Sequence, residues 1–174
     1  MTKLLVLVTG VPGAGKTTLA RQLATALGLP LLCVDTVKET LFGTLGVRDR
    51  EWSHQVRTAA TSVVWSLLPD CPQGAVIDIW LDPSRDHEVA RDGLAGVGVE
   101  SAYEILCDVP GEIAAQRYAG RTRHPGHLPP DEATLDRIRA AARIIAPLGL
   151  GPALRVDTTG HVDVADIANW LRHN

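Results

Sequence analysis

Asparagine is nearly missing from this chain: Asn169 and Asn174, both close to its end, are the only two. A GTPase reads guanine through an Asn-Lys-x-Asp segment placed after a strand, and neither Asn can supply one, which argues against a GTPase switch. Lysine is scarce too, with Lys3, Lys16 and Lys38 against fourteen arginines. We read that ratio as coding bias, although it makes Lys16 and Lys38 conspicuous. The basic residues are scattered and the net charge is -3, so no polybasic arm or stripe announces a nucleic-acid backbone as partner. Only three cysteines occur, Cys33, Cys71 and Cys107, with no pairing and no metal-ligand spacing; they read as free thiols in a reducing compartment. No apolar run approaches the roughly 18 residues of a membrane span, and the run Leu4 to Val8 is too short for a signal segment. The expectation is a soluble, cytoplasmic protein. A length of 174 residues suits one domain, 1–174, and leaves no space for the added helical domain of an AAA+ machine or a second motor core.

Short apolar runs alternate with longer helical patterns, the signal of strand-helix units and a parallel sheet. Five runs qualify: Lys3 to Thr9, Leu31 to Val34, Gly74 to Trp80, Ser101 to Asp108 and Ala153 to Asp157. Their near-continuous hydrophobicity suits strands covered on both faces. Helical patterns fall over Lys16 to Leu27, stopped by Gly28; Arg50 to Leu68, ended by Pro69; Pro83 to Leu94; Pro110 to Gly120; Asp131 to Ile145; and Asp163 to Arg172. Arg121 to Pro130, rich in Arg, His, Pro and Gly, fits neither pattern and reads as a mobile loop.

Between the first strand and the first helix stands Gly10-Val11-Pro12-Gly13-Ala14-Gly15-Lys16-Thr17-Thr18. It is a complete G-x-x-x-x-G-K-[ST] motif in the strand-loop-helix context that gives the motif meaning. The glycines let backbone N–H groups wrap a phosphate at the positive end of the helix dipole. Lys16 reaches the β- and γ-phosphates, and Thr17 offers a hydroxyl to Mg²⁺. Further on, Ala75-Val76-Ile77-Asp78 is a Walker B pattern, an apolar strand ending in a carboxylate that holds Mg²⁺ directly or through water; the alternative is that Asp78 and Asp82 bind substrate or structure the loop. Arg117 and Arg121 are spaced one helical turn apart, with Arg123 just beyond.

With these residues in view, the chain resembles the small P-loop kinases typified by chloramphenicol phosphotransferase and the zeta toxins. The resemblance runs from Leu4-Leu5-Val6-Leu7-Val8-Thr9-Gly10 to Val156-Asp157-Thr158. It implies a three-layer α/β/α P-loop nucleoside-triphosphate hydrolase fold, with a five-stranded parallel sheet ordered 2-3-1-4-5 and a short lid at about 117–130. It also implies ATP and Mg²⁺, and transfer of the γ-phosphoryl group to a hydroxyl of a small molecule: an antibiotic, a nucleoside or nucleotide, or a sugar. Asp35, after Leu31-Leu32-Cys33-Val34, takes the place of the carboxylate that faces the acceptor hydroxyl, with capping of the next helix as its other use. Arg117, Arg121 and Arg123 become lid arginines that neutralise the moving phosphoryl group and exclude water. Thr158, in Asp157-Thr158-Thr159-Gly160-His161, falls where related kinases meet adenine. Asp35, Lys38, Trp80 and Asp82 border the expected acceptor crevice; Trp80 also suits ordinary core. Trp52, Trp65 and Arg57 lie on a long helix whose apolar stripe reads as packing. His124 and His127 read as substrate contacts or lid shape, since no third ligand completes a metal site. Two rival readings stay open: a nucleic-acid end kinase, and a regulatory ATP-binding module that phosphorylates nothing.

Overall fold

The computed structural model describes residues 3–82, 86–99 and 101–174. The strands are β1 (Leu4–Thr9), β2 (Leu31–Cys33), β3 (Gly74–Asp78), β4 (Tyr103–Asp108) and β5 (Ala153–Asp157). The helices are α1 (Lys16–Leu27), α2 (Val34–Leu45), α3 (Arg50–Leu67), α4 (His87–Gly96), α5 (Gly111–Ala119), α6 (Glu132–Ile144) and α7 (Val164–His173). All strand pairs are parallel, in the order β2-β3-β1-β4-β5. This is the P-loop kinase fold and the strand order that the resemblance implies.

The strand pleat sorts the core into two layers. On β1, Val6 and Val8 face Leu19 and Leu23 of α1 and Ile167 and Leu171 of α7. Their neighbours Leu5 and Leu7 face the other way, toward Ala60 and Val64 of α3 and Ala90 and Leu94 of α4. A strand with both faces covered must be apolar at every position, which is why β1 reads as an unbroken run.

Several boundaries differ from the sequence expectation. Val34 begins α2 instead of ending β2, so Asp35 sits inside the first turn of the helix. Cys33 is the N-cap of this helix and no side chain caps it, so Asp35 does not. β3 stops at Asp78, although the Ile79 N–H still donates to the Val8 carbonyl. Pro69 converts the end of α3 into a short 3-10 turn, Leu68–Asp70. The helix expected from Pro83 begins at His87 in the structure; Pro83 itself lies outside the described residues. α5 ends at Ala119, so Arg117 and Arg121 do not share a helical face: Arg121 is already in the connecting segment.

One buried charge holds the fourth and fifth strands in place. Glu104 on β4 is fully buried, and its carboxylate accepts from the N–H groups of Leu148, Gly149 and Leu150 at 2.6, 2.8 and 2.7 Å. Three main-chain donors on one carboxylate fix the approach to β5 and leave none of the three orphaned. Glu104→Ala should lower unfolding free energy by about 3 kcal/mol or more in urea titrations, because it strands buried donors. Glu104→Gln, which keeps one accepting oxygen, should fall between that variant and the wild type.

Candidate active site

The phosphate loop takes its shape from what surrounds it. Gly10, Gly13 and Gly15 all have positive φ, at 146°, 88° and 88°. A Cβ on Gly10 would lie 2.7 Å from the Cys107 carbonyl oxygen at the end of β4, and one on Gly13 would collide with the Ala114 carbonyl of α5. Val11 and Ala14 are buried within the loop, and Pro12 lies at its rim, on the cavity wall. Thr158, just past β5, ties the loop down: its hydroxyl donates to the Ala14 carbonyl at 2.7 Å and lies 3.1 Å from the Asp108 carbonyl.

Register delivers the next groups. Asp78 is level with Val8 on one side and Cys33 on the other, so its side chain emerges where β1 and β2 both end. There it accepts a 2.6 Å hydrogen bond from the Thr17 hydroxyl and a 3.3 Å contact from the Cys33 thiol, and it is 4% exposed. A hydroxyl and a carboxylate at the loop's edge form a hard-oxygen donor set of the kind that would hold Mg²⁺. Lys16 folds back onto the Val11 carbonyl at 3.1 Å, its ammonium 5.9 Å from the Trp80 ring centre. Burial pushes its pKa down, while Asp78 and Asp35 pull it up.

Beyond the loop opens a cavity of about 260 Å³. Gly13, Gly15, Lys16, Thr17 and Asp78 form its floor, and Asp35, Lys38 and Trp80 one wall. Arg121, Arg123, His127 and Leu128, from the segment between α5 and α6, lie across it. Arg123 brings its guanidinium to 3.8 Å from the Asp35 carboxylate and 4.4 Å from the Tyr118 ring. His127 pairs with Glu39 of α2 at 2.6 Å, His124 stacks on Phe42, and the Tyr118 hydroxyl donates to the Leu128 carbonyl at 2.9 Å. Gly126 passes so close to the Phe42 ring that a side chain there would collide with it.

The structure separates two groups from this cluster. Arg117 donates to the carbonyls of Thr158 and Thr159, both at 2.9 Å, and borders a second cavity of about 280 Å³ with Thr18, Gln22, Arg121, Thr158 and Val162. Asp82 is not among the residues lining the main cavity; its N–H donates to Asp86 at 3.0 Å.

The sequence reading placed Arg57 with the packing stripe of its helix and did not single out Thr61. Both line the main cavity from α3, and Arg57 donates through one nitrogen to Asp86 at 2.8 Å and to the Trp80 carbonyl at 3.3 Å. Their i, i+4 spacing beside the buried stripe Val56, Ala60 and Val64 was the available signal. Glu39 had no role in the sequence reading, because its part depends on a partner 88 residues away.

Comparison with known proteins gives a consistent result. The family model described as "AAA domain" (AAA_33) matches residues 5–145. The thymidylate kinase of Xanthomonas euvesicatoria pv. vesicatoria (strain 85-10) is 30% identical, over 92% of this chain and 78% of its own. A candidate kinase from Chloroflexus aurantiacus J-10-fl superposes with a TM-score of 0.87 at 35% identity, covering 99% of this chain and 98% of the other. The shikimate kinase of Acinetobacter baumannii shares the fold alone, with a TM-score of 0.65 at 20% identity, over 98% and 92% of the two chains. A complete phosphate loop joined to Asp78 in this sheet order, and these relatives, place the chain in the AAA domain family, among its P-loop kinases.

Proposed function

We propose that this protein transfers the γ-phosphoryl group of ATP to a hydroxyl on a small molecule. The observation that carries the reading is that Asp35 shares one cavity with Lys16, Thr17 and Asp78. The acceptor oxygen forms a bond to the γ-phosphorus as the bond to the ADP oxygen breaks, and the hydroxyl proton passes to the Asp35 carboxylate. Lys16 meets the charge on the β- and γ-oxygens. Arg121 and Arg123 meet it from above, and with Leu128 they keep water from competing for the phosphoryl group. Thr17 and Asp78 would hold Mg²⁺, which neutralises phosphate charge when bound. Arg117 acts at one remove, steadying the 158–159 loop beside the base. The earlier resemblance to antibiotic phosphotransferases and zeta toxins keeps antibiotics, nucleotides and sugars among the acceptor classes.

A second reading, transfer to a nucleoside monophosphate, draws on the likeness to thymidylate kinases. The two differ in proton demand. A phosphate acceptor is already an oxyanion at neutral pH, whereas an alcohol must lose a proton during attack. Release of ADP should be followed with a panel of alcohols and with thymidylate. For an alcohol acceptor, Asp35→Asn should lower kcat by about 10² to 10⁴, and Lys16→Ala should abolish turnover. An Asp35→Asn enzyme that retains most of its kcat would exclude the general-base role, and with thymidylate as acceptor would favour the second reading.

The segment 121–130 acts in this scheme as the lid, and His127 is its latch. Burial lowers the His127 pKa, opposed first by the hydrogen bond to Glu39 and then by Asp35, while Arg123 and Lys38 add to the lowering. When the lid opens, the imidazole returns to an ordinary value near 6.5. The open form therefore binds more protons below that value, and closure is favoured above it and weakens as pH falls through it. Amide exchange of residues 124–128, corrected for intrinsic rates, should be faster at pH 5.5 than at 7.5. His127→Gln should remove that pH dependence.

A further inference from the structure

The acceptor side of the cavity carries more positive charge than an uncharged alcohol would use. In the reading above, Lys16, Arg121 and Arg123 meet the phosphoryl group, which leaves Lys38 and Arg57 around the acceptor half, against Asp35 as the carboxylate on that wall. Arg123 already lies against Asp35 at 3.8 Å. The other two cations are less fully answered. Lys38 is half-buried and, among the described residues, makes no hydrogen bond or ion pair; its ammonium lies 5.6 Å from the Phe42 ring centre. Arg57 holds Asp86 and the Trp80 carbonyl through the same nitrogen, Nη2, so among the described residues its Nε and Nη1 donors have no partner. The Asp86 carboxylate, with 11% of its side chain exposed, anchors this guanidinium from behind and sets its direction.

These positions are complementary to a particular kind of molecule. Lys38 follows Asp35 by three residues on α2, so the two side chains lie on one face about 5–6 Å apart at Cβ. Arg57 meets the same cavity from α3. A half-buried ammonium and a guanidinium edge left without acceptors cost desolvation energy that an oxyanion would recover, and a guanidinium fork is shaped for carboxylate or phosphate oxygens. The cavity volume of about 260 Å³ is shared with the phosphate loop. It is below the roughly 300–1,000 Å³ of sites that take drug-sized ligands, which suits a compact acceptor.

We propose that the site selects a compact alcohol bearing a separate oxyanion, a carboxylate or a phosphate monoester, with Arg57 and Lys38 gripping the oxyanion while Asp35 faces the hydroxyl. Asp86 is then a positioning residue for Arg57. The inference rests on the phosphotransfer reading above, and matched acceptors separate the two. The full chain is assayed with ATP and Mg²⁺ on pairs that differ only in the anion: glycerate and glycerol 3-phosphate against glycerol, gluconate against glucitol.

The anionic members should be favoured at least tenfold in kcat/KM, with the carboxylate and phosphate arms telling which oxyanion fits. Lys38→Met and Arg57→Gln should each raise KM for the anionic acceptor about tenfold or more, with a smaller change in kcat, and narrow the preference over the neutral partner. Arg57→Lys, which keeps the charge but not the fork, should recover part of the loss. Lys38→Met, on a half-exposed position, keeps the test intact if the Arg57 variants fold poorly. Equal turnover of both members of a pair, or equal losses for both in the variants, would overturn the anion proposal and leave phosphotransfer standing. An enzyme that binds ATP and phosphorylates neither member of any pair would overturn both.

Discussion

The loop between β1 and α1 has no space for side chains at Gly10 and Gly13, and much of the molecule is arranged around that shortage. The end of β4 presses on Gly10 and the α5 backbone on Gly13, so the loop is wedged between the sheet and a helix more than 90 residues later in the chain. A phosphate-binding loop must present N–H groups that are already oriented, since ordering them on binding would subtract from affinity. The wedge provides that order, and the Thr158 hydroxyl pins the Ala14 carbonyl from a third direction. β1, β4, α5 and the turn after β5 must therefore all be in place before the loop has its shape.

The same arrangement places the chemistry beyond the carboxyl ends of the strands. With β1 central, β3 on one side and β4 on the other, Asp78 arrives beside Thr17 through strand register alone. The acceptor wall needs a different device. β2 is only three residues long, and α2 begins at once, which brings Asp35 and Lys38 into the crevice on successive turns. The segment between α5 and α6 closes above them through local contacts, His127 with Glu39, His124 on Phe42 and Tyr118 with the Leu128 carbonyl. The floor is rigid because its backbone is packed on both sides, while the cover is held by a few polar and aromatic contacts. In the phosphotransfer reading proposed above, the site admits an acceptor and then excludes water, which needs that difference.

The legible parts of the site were those whose chemistry is local in sequence. The phosphate loop, Asp78 at a strand end and the number of strands each follow from short patterns, and the β1 run reads as buried on both faces because it is. Element boundaries were less legible where one type passes directly into another. Val34 looks like strand by its neighbours Leu31 to Cys33, yet hydrogen bonding makes it the first residue of a helix. Arg117 and Arg121 have helical spacing, but Gly120 ends α5 between them. The arginine on α3 was read with its helix's packing stripe because neighbouring positions are buried, although it borders that stripe and reaches the cavity.

The sequence by itself determined that the chain carries the phosphate loop of its family, and at which residues, because a strand, three glycines, Lys16 and Thr17 stand within a few residues of one another. It also determined the parallel α/β class, through the alternation of fully apolar runs with amphipathic helices. Only the tertiary structure decided which charges share the cavity: that Arg117 turns toward the 158–159 carbonyls, that Arg123 lies against Asp35, and that Arg57 and Lys38 converge from two helices. The reason is physical. A side chain's reach along its own helix follows from spacing, but its partner on another helix is set by how the two pack on the sheet.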